Sequence, residues 1–313
     1  SPAPAAASSV DAVVFSPPAG APPVAAAASP PPPLLSRPSL PLSTPATPVP
    51  GQPRPINLEL ERGWHTALIS GGDYELPTDL VANRGEAEMV ASGTLQNMVL
   101  IISQRFSDDL SRVKFRIEFV ADGGPAHGHV LSAQRVDFPA PPASPDVGEL
   151  QAAAASFGES LARYAESVIG TRVGNGECWT LAAEGLGSVP GAFRSVGYCH
   201  GVKIASVASV NGVCQDTMAP LDEIRRGDVI QYTSAKFVFA NAAGQTLYSD
   251  CGNPHHTAIV VASHPGRVVD VLEQSSEYPV RVAQLPLTAL VAGEFAVYRP
   301  FWKEWAGEVE TAW

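Results

Sequence analysis

The run Gly174-Asn175-Gly176-Glu177-Cys178-Trp179-Thr180-Leu181-Ala182 decides how this chain is read. Two glycines permit a tight loop, and the residues after Cys178 favour a helix, so the loop delivers a thiol to a helix N-terminus. The position matters chemically. A thiol with a pKa of about 8.5 is mostly protonated at neutral pH, and the thiolate is the nucleophile. A helix N-terminus and a neighbouring imidazolium both stabilise that thiolate. First-turn backbone N–H groups lack helical partners and could form half of an oxyanion hole. Glu177 works against this if its charge points inward. The plain alternative for Cys178 is a small buried hydrophobe beside a turn.

A base is found downstream. His256 opens His-Thr-Ala-Ile-Val-Val, whose remainder is apolar enough to be a buried strand. His264-Pro265-Gly266 reads as a turn, and Val268 to Glu273 as the return strand. If Ala262 pairs with Arg267 around a four-residue loop, Val260 faces Val269, Ala258 faces Val271 and His256 faces Glu273. Opposed residues share a face of the sheet. A carboxylate there would fix the imidazole tautomer and stabilise its charged form. A slip of one residue would substitute Gln274 or Leu272. Cys178, His256 and Glu273 are therefore the candidate nucleophile, base and orienting residue.

The surrounding order predicts an α+β architecture, with a helical layer on an antiparallel sheet. Residues 1–55 are expected to be a disordered, proline-rich tail. They hold 17 of the chain's 30 prolines and only three charges, Asp11, Arg37 and Arg54. Residues 56–138 read as β-rich: Asn97 to Ser103 is a continuous apolar run, and Val113 to Val120 alternates. Asp122-Gly123-Gly124-Pro125 is a turn, and a proline linker at 139–145 precedes a domain at 146–313. Asp146 and Glu149 have capping-box spacing ahead of a helix reaching Ile169. A second helix runs from Cys178 to about Leu186 or Gly187. Strands follow at Asp228 to Thr233, His256 to Ala262, Val268 to Glu273 and Glu294 to Arg299, while 188–220 is left unassigned.

Composition excludes several classes. The net charge of the 313-residue chain is −11, and the tail contributes one positive charge, which leaves −12 on residues 56–313. Nucleic acid and anionic membrane need a basic face, so neither is expected as a partner. No stretch approaches the roughly 20 apolar residues of a membrane span. Cys178, Cys199, Cys214 and Cys251 are too sparse for a disulfide framework, which favours a reducing cytoplasm. Asp250-Cys251-Gly252-Asn253-Pro254-His255-His256 holds metal-ligand types, but zinc sites need paired ligand spacing, so no metal or cofactor is expected. Ser1 in place of Met suggests a fragment of a longer protein. Arg37-Pro38-Ser39-Leu40-Pro41 carries a PxxP core of the kind SH3 domains bind, weighed against an inert spacer.

The Cys178 run, Ile224-Arg225-Arg226-Gly227-Asp228-Val229-Ile230-Gln231-Tyr232, the His256 strand and Val271-Leu272-Glu273-Gln274 together resemble the CHAP and NlpC-type branch of papain-like cysteine peptidases and amidases. The resemblance implies Cys178 as nucleophile, His256 as base and Glu273 as orienting residue. CHAP-like sequences often carry asparagine two residues after that glutamate, where this chain has Ser275. Gly63-Trp64, the β-rich segment, the helix at 146–169, Leu221 to Phe237 and Val297-Tyr298-Arg299-Pro300 also resemble the C-terminal cysteine-proteinase-fold domain of fungal myosin-tail-region-interacting proteins. That likeness implies an endocytic adaptor at cortical actin patches, with SH3 or myosin-I-associated partners. It leaves open an intracellular cysteine hydrolase acting through a Cys178 thioester.

Overall fold

The computed structural model describes residues 55–307, apart from 71–74, 82–86, 95, 122–128, 142–144, 211–212, 217–222 and 242. The tail at 1–54 with its PxxP segments, the Asp122–Pro125 turn, His127, Leu221 and Asp222, and the middle of the Pro139–Pro145 cluster lie outside the described residues.

Strands β1 (Ala87–Thr94), β2 (Asn97–Arg105), β3 (Arg112–Val120) and β4 (His129–Phe138) form an antiparallel meander in that order. Alternation explains its buried face. Val113, Phe115, Ile117 and Phe119 of β3 point one way, and β2 sets Ile102 opposite Phe115, Leu100 opposite Ile117 and Met98 opposite Phe119. Helices α1 (Trp64–Ser70) and α2 (Thr78–Val81) cover this face with Trp64 and Leu80. Burying a side chain of this size contributes about 1.5–3 kcal/mol, so the sheet has a core of its own.

The second sheet has seven antiparallel strands in the order β10-β9-β8-β7-β11-β5-β6. They are β5 (Val202–Val210), β6 (Val213–Asp216), β7 (Val229–Ala240), β8 (Thr246–His264), β9 (Val268–Glu273), β10 (Arg281–Pro286) and β11 (Leu290–Arg299). Helices α3 (Val147–Ala153), α4 (Glu159–Ser167) and α5 (Cys178–Ser188) share one core with this sheet, built from residues such as Leu161, Leu181, Ile230, Ile259 and Val271. Strand β5 falls in the stretch that the sequence left unassigned, and β8 begins ten residues before His256.

The capping box is present: Asp146 Oδ1 accepts from the Glu149 N–H at 2.8 Å, and Glu149 Oε2 accepts from the Asp146 N–H at 2.8 Å. The helix it starts is not uniform. A π-helical turn, Ala154–Gly158, separates α3 from α4. It lies where the helix meets the turn before β7: a Cβ on Gly158 would sit 2.5 Å from the Arg226 carbonyl oxygen, and one on Gly227 would sit 2.2 Å from the Gly158 oxygen. Arg226 then forks onto Glu159 and Glu166 and donates to the Val261 carbonyl, tying α4 to β8. Asp228 is buried in a bidentate pair with Arg299 at 3.0 and 2.8 Å, which gives the Gly-Asp turn a structural role.

Candidate active site

Glu177 is the N-cap of α5, in extended conformation and without a side-chain cap. Glycine is required ahead of it: Gly174 and Gly176 have φ of 54° and 84°. A Cβ on Gly174 would also lie 2.3 Å from Thr180 Cγ2. Asn175 Oδ1 accepts from the Glu177 N–H and the Thr180 hydroxyl, closing the loop onto the first helical turn. From the other side, fully buried Gln274 accepts from the Val173 N–H and donates to the Val173 and Glu177 carbonyls. The backbone leading to Cys178 is thus fixed at both ends.

His256 lies on β8 opposite Tyr232 of β7, and the two rings stack at 6.0 Å between centroids. It is 7% exposed. Nε2 meets Glu273 Oε2 at 2.8 Å, which leaves Nδ1 for the sulfur. The register differs from the one the sequence suggested. Val260 pairs with Val271 and Ile259 with Leu272, a shift of two residues, and the turn is a three-residue loop. The turn alone would shift the pairing by three residues, and a bulge at Val261 takes one back. A two-residue shift preserves which face a side chain occupies, so Glu273 reaches the imidazole diagonally instead of directly across.

The structure brings Cys178, His256 and Glu273 together. Burial opposes charge on all three, and the mutual contacts outweigh it. The Cys178 thiol is lowered by its hydrogen bond to His256, by the charge on that ring and by the backbone N–H groups of Thr257 and Trp179. Glu177 is exposed. Hydrogen bonds and charge from Cys178 and Glu273 push His256 up to about 9. Glu273 is held below the usual carboxylate range by His256 and Arg281. Both partners move in the direction that favours a thiolate–imidazolium pair. Cys251, lining the same cleft, is pushed up to about 12 by burial.

The triad borders a cleft of about 670 Å³, walled by Trp179, Tyr198, the 249–256 segment of β8 and the 275–278 turn. That volume suits a small ligand or an extended peptide segment. Sequence reasoning missed Gln274 as the anchor of the nucleophile loop, and Tyr278 and Arg281 as partners of Glu273. It also gave no role to His200. In the fold, Ser195 Oγ and Gln231 Oε1 contact the two His200 ring nitrogens at 2.8 and 3.2 Å, and the Thr257 hydroxyl joins at Gln231. This buried chain supports the backbone beside His256. Only the position of Gln274 next to Glu273 could have pointed to any of these. Among the described residues, no group of three or more His, Cys, Asp or Glu could hold a metal ion. No helix among them is long and apolar enough to cross a membrane.

The family described as the AIM3/BBC1 cysteine proteinase-fold domain matches residues 132–310, the span that carries the whole triad. The chain belongs to this family. Its match begins inside β4, so most of the four-stranded sheet lies ahead of it. The chain is also similar to Altered inheritance of mitochondria protein 3 of Debaryomyces hansenii, at 32% identity over 271 residues. That alignment covers 84% of this chain and 28% of the relative. A second relative is SH3 domain-containing protein C23A1.17 of Schizosaccharomyces pombe, 28% identical over 173 residues, covering 54% of this chain and 10% of that protein. The chain therefore spans less than a third of either curated relative. No solved structure matches it.

Proposed function

We propose that this chain is part of a cytoplasmic, cortical actin-patch adaptor, and that its cleft is a cysteine-hydrolase centre acting on an amide or ester. The observation that carries the chemistry is the buried His256–Glu273 hydrogen bond beside a lowered Cys178 thiol. The Cys178 sulfur attacks the substrate carbonyl carbon, and the carbonyl π electrons move onto oxygen. As that oxyanion collapses to a thioester, the bond to the leaving group breaks and imidazolium His256 gives it a proton. Neutral His256 then takes a proton from water, whose oxygen attacks the thioester. Collapse of the second oxyanion releases the acid and restores the sulfur. Glu273 holds the ring and stabilises its charge throughout. First-turn N–H groups of α5 supply oxyanion donors.

The adaptor half of this reading rests on the proline-rich tail with its PxxP segments, on the likeness to myosin-tail-region-interacting proteins and on a relative named for an SH3 domain. SH3-containing and myosin-I-associated proteins are the partners it implies.

Two experiments test the halves separately. Iodoacetamide at pH 6, read cysteine by cysteine by mass spectrometry, should modify Cys178 far faster than half-buried Cys214. Equal rates for the two thiols would remove the hydrolase centre. Pull-downs from cells should return the same partners with wild type and Cys178→Ala. They should lose SH3-containing partners when residues 1–55 are deleted. Retention of every partner by the truncated chain would take the recruiting role away from the tail.

A further inference from the structure

We propose that Arg281, backed by Tyr278, is a positioning residue of the Cys178 centre: it clamps the outer oxygen of Glu273 so that the inner oxygen stays on His256. The inference rests on the reading of Cys178 and His256 as a reactive pair. Glu273 is only 4% exposed, yet both its oxygens are engaged. Oε2 faces Nε2 of His256 at 2.8 Å. Oε1 accepts from Arg281 Nη2 at 3.0 Å, Arg281 Nε at 3.2 Å and the Tyr278 hydroxyl at 3.2 Å. Arg281 is the direct cross-strand partner of Glu273 between β9 and β10. Its guanidinium carbon lies 3.5 Å from the centre of the Tyr278 ring, so the aromatic face and the carboxylate together fix the fork.

The clamp is needed because a carboxylate rotates easily about its last torsion, which is broad and roughly two-fold. Without donors on Oε1, Glu273 can turn toward cleft water and release the ring. Arg281 also has an opposing effect, since its positive charge disfavours imidazolium at His256. Burial decides which wins. The Glu273–His256 bond is buried and direct, whereas the Arg281 side chain is 54% exposed and acts on the ring through solvent. Orientation therefore dominates.

The surroundings make the residue testable. β10 is the edge strand of its sheet, and Arg281 is exposed on it, outside the core. The 275–276 turn is held independently, because Arg172 Nη1 donates to the Ser275 and Ser276 carbonyls at 3.1 and 2.8 Å. The experiment uses the full chain with isotope-labelled histidine and follows the His256 ring by NMR from pH 5 to 10. In Arg281→Met the ring should titrate lower than in wild type by roughly one pH unit. Arg281→Lys keeps the charge and one donor but not the fork, and should fall between the two. It stands in for Arg281→Met if that variant folds poorly. His256 titrating with wild type, or above it, in both variants overturns the clamp. If wild-type Cys178 alkylates no faster than Cys214, the nucleophile reading fails, and the ring titration still judges Arg281 on its own.

Discussion

Glu273 holds the His256 ring that meets the Cys178 thiol. Its carboxylate is buried, accepts hydrogen bonds at both oxygens and is the main external charge on the imidazole. Glu273→Gln keeps the shape and removes the charge. His256 should then titrate well below about 9, and iodoacetamide should label Cys178 at pH 6 roughly tenfold more slowly. The sign follows from the direction of the shift. A histidine raised in the fold stabilises the native state fully below its ordinary pKa, and that stability is lost as pH rises through about 9. Hydrolysis should decline over the same range, because the imidazolium is the proton donor to the leaving group. Wild-type labelling at pH 6 that is indifferent to Glu273→Gln would leave the carboxylate with a packing role only.

The α3–α4 helix and β7 meet glycine to glycine. The π-helical turn places Gly158 over Gly227, with backbone atoms so close that neither position has room for a methyl group. Gly227 also has φ of 86°, a conformation that costs any other residue about 1 kcal/mol or more. Gly227→Ala should therefore destabilise the domain by roughly 2–4 kcal/mol, combining strain with loss of packing. Urea unfolding would measure it, and a change below 0.5 kcal/mol, about the scatter of neutral surface substitutions, would contradict the close approach. The consequence reaches the site. Arg226 joins α4 to β8 beside this contact, and α4 packs on α5, where Gly185 lies against Leu161 and Tyr164. Separating helix from sheet there would displace the sulfur from the ring.

Across the whole described chain, the two sheets share a seam. Leu110 packs with Phe193, Val196, Cys199 and Tyr298. Arg105, beside the Phe193 ring, donates from Nη2 to the Gly307 carbonyl at 2.6 Å and from Nη1 to that of Ala306. Near this seam lies His200, fully buried, with its pKa lowered by burial to about 4. A histidine depressed in the fold gives full stability above its ordinary pKa and withdraws it as pH falls through the folded value. Stability should drop between about pH 6.5 and about 4, by up to about 3 kcal/mol from this residue, since one pKa unit is worth about 1.4 kcal/mol. Buried His65 is lowered in the same direction. Urea midpoints at pH 7 and pH 5 should differ in wild type, and His200→Gln should narrow the gap. A gap of the same size in both proteins would place the acid sensitivity elsewhere.

The α+β class, the Cys178 helix start and the Asp146 capping box were legible in the sequence because they depend on neighbours a few residues away. Glycine spacing, cap chemistry and hydrophobic period act locally. Pairing of His256 with Glu273 was only partly legible. Face parity follows from the two-residue repeat of a strand, but the register is set by the Val261 bulge and a three-residue turn, which alternation does not encode. Strand β5 and the early start of β8 went unread for a related reason: the small and apolar residues of Val202–Val210 lack a clean alternation, the residues ahead of His256 are polar with a glycine, and both become strands only through partners distant in sequence. Gln274, Tyr278, Arg281 and the Ser195–His200–Gln231–Thr257 chain belong to the tertiary structure alone. Their roles come from hydrogen bonds between segments up to about a hundred residues apart, and those bonds exist only once the sheet has brought the segments together.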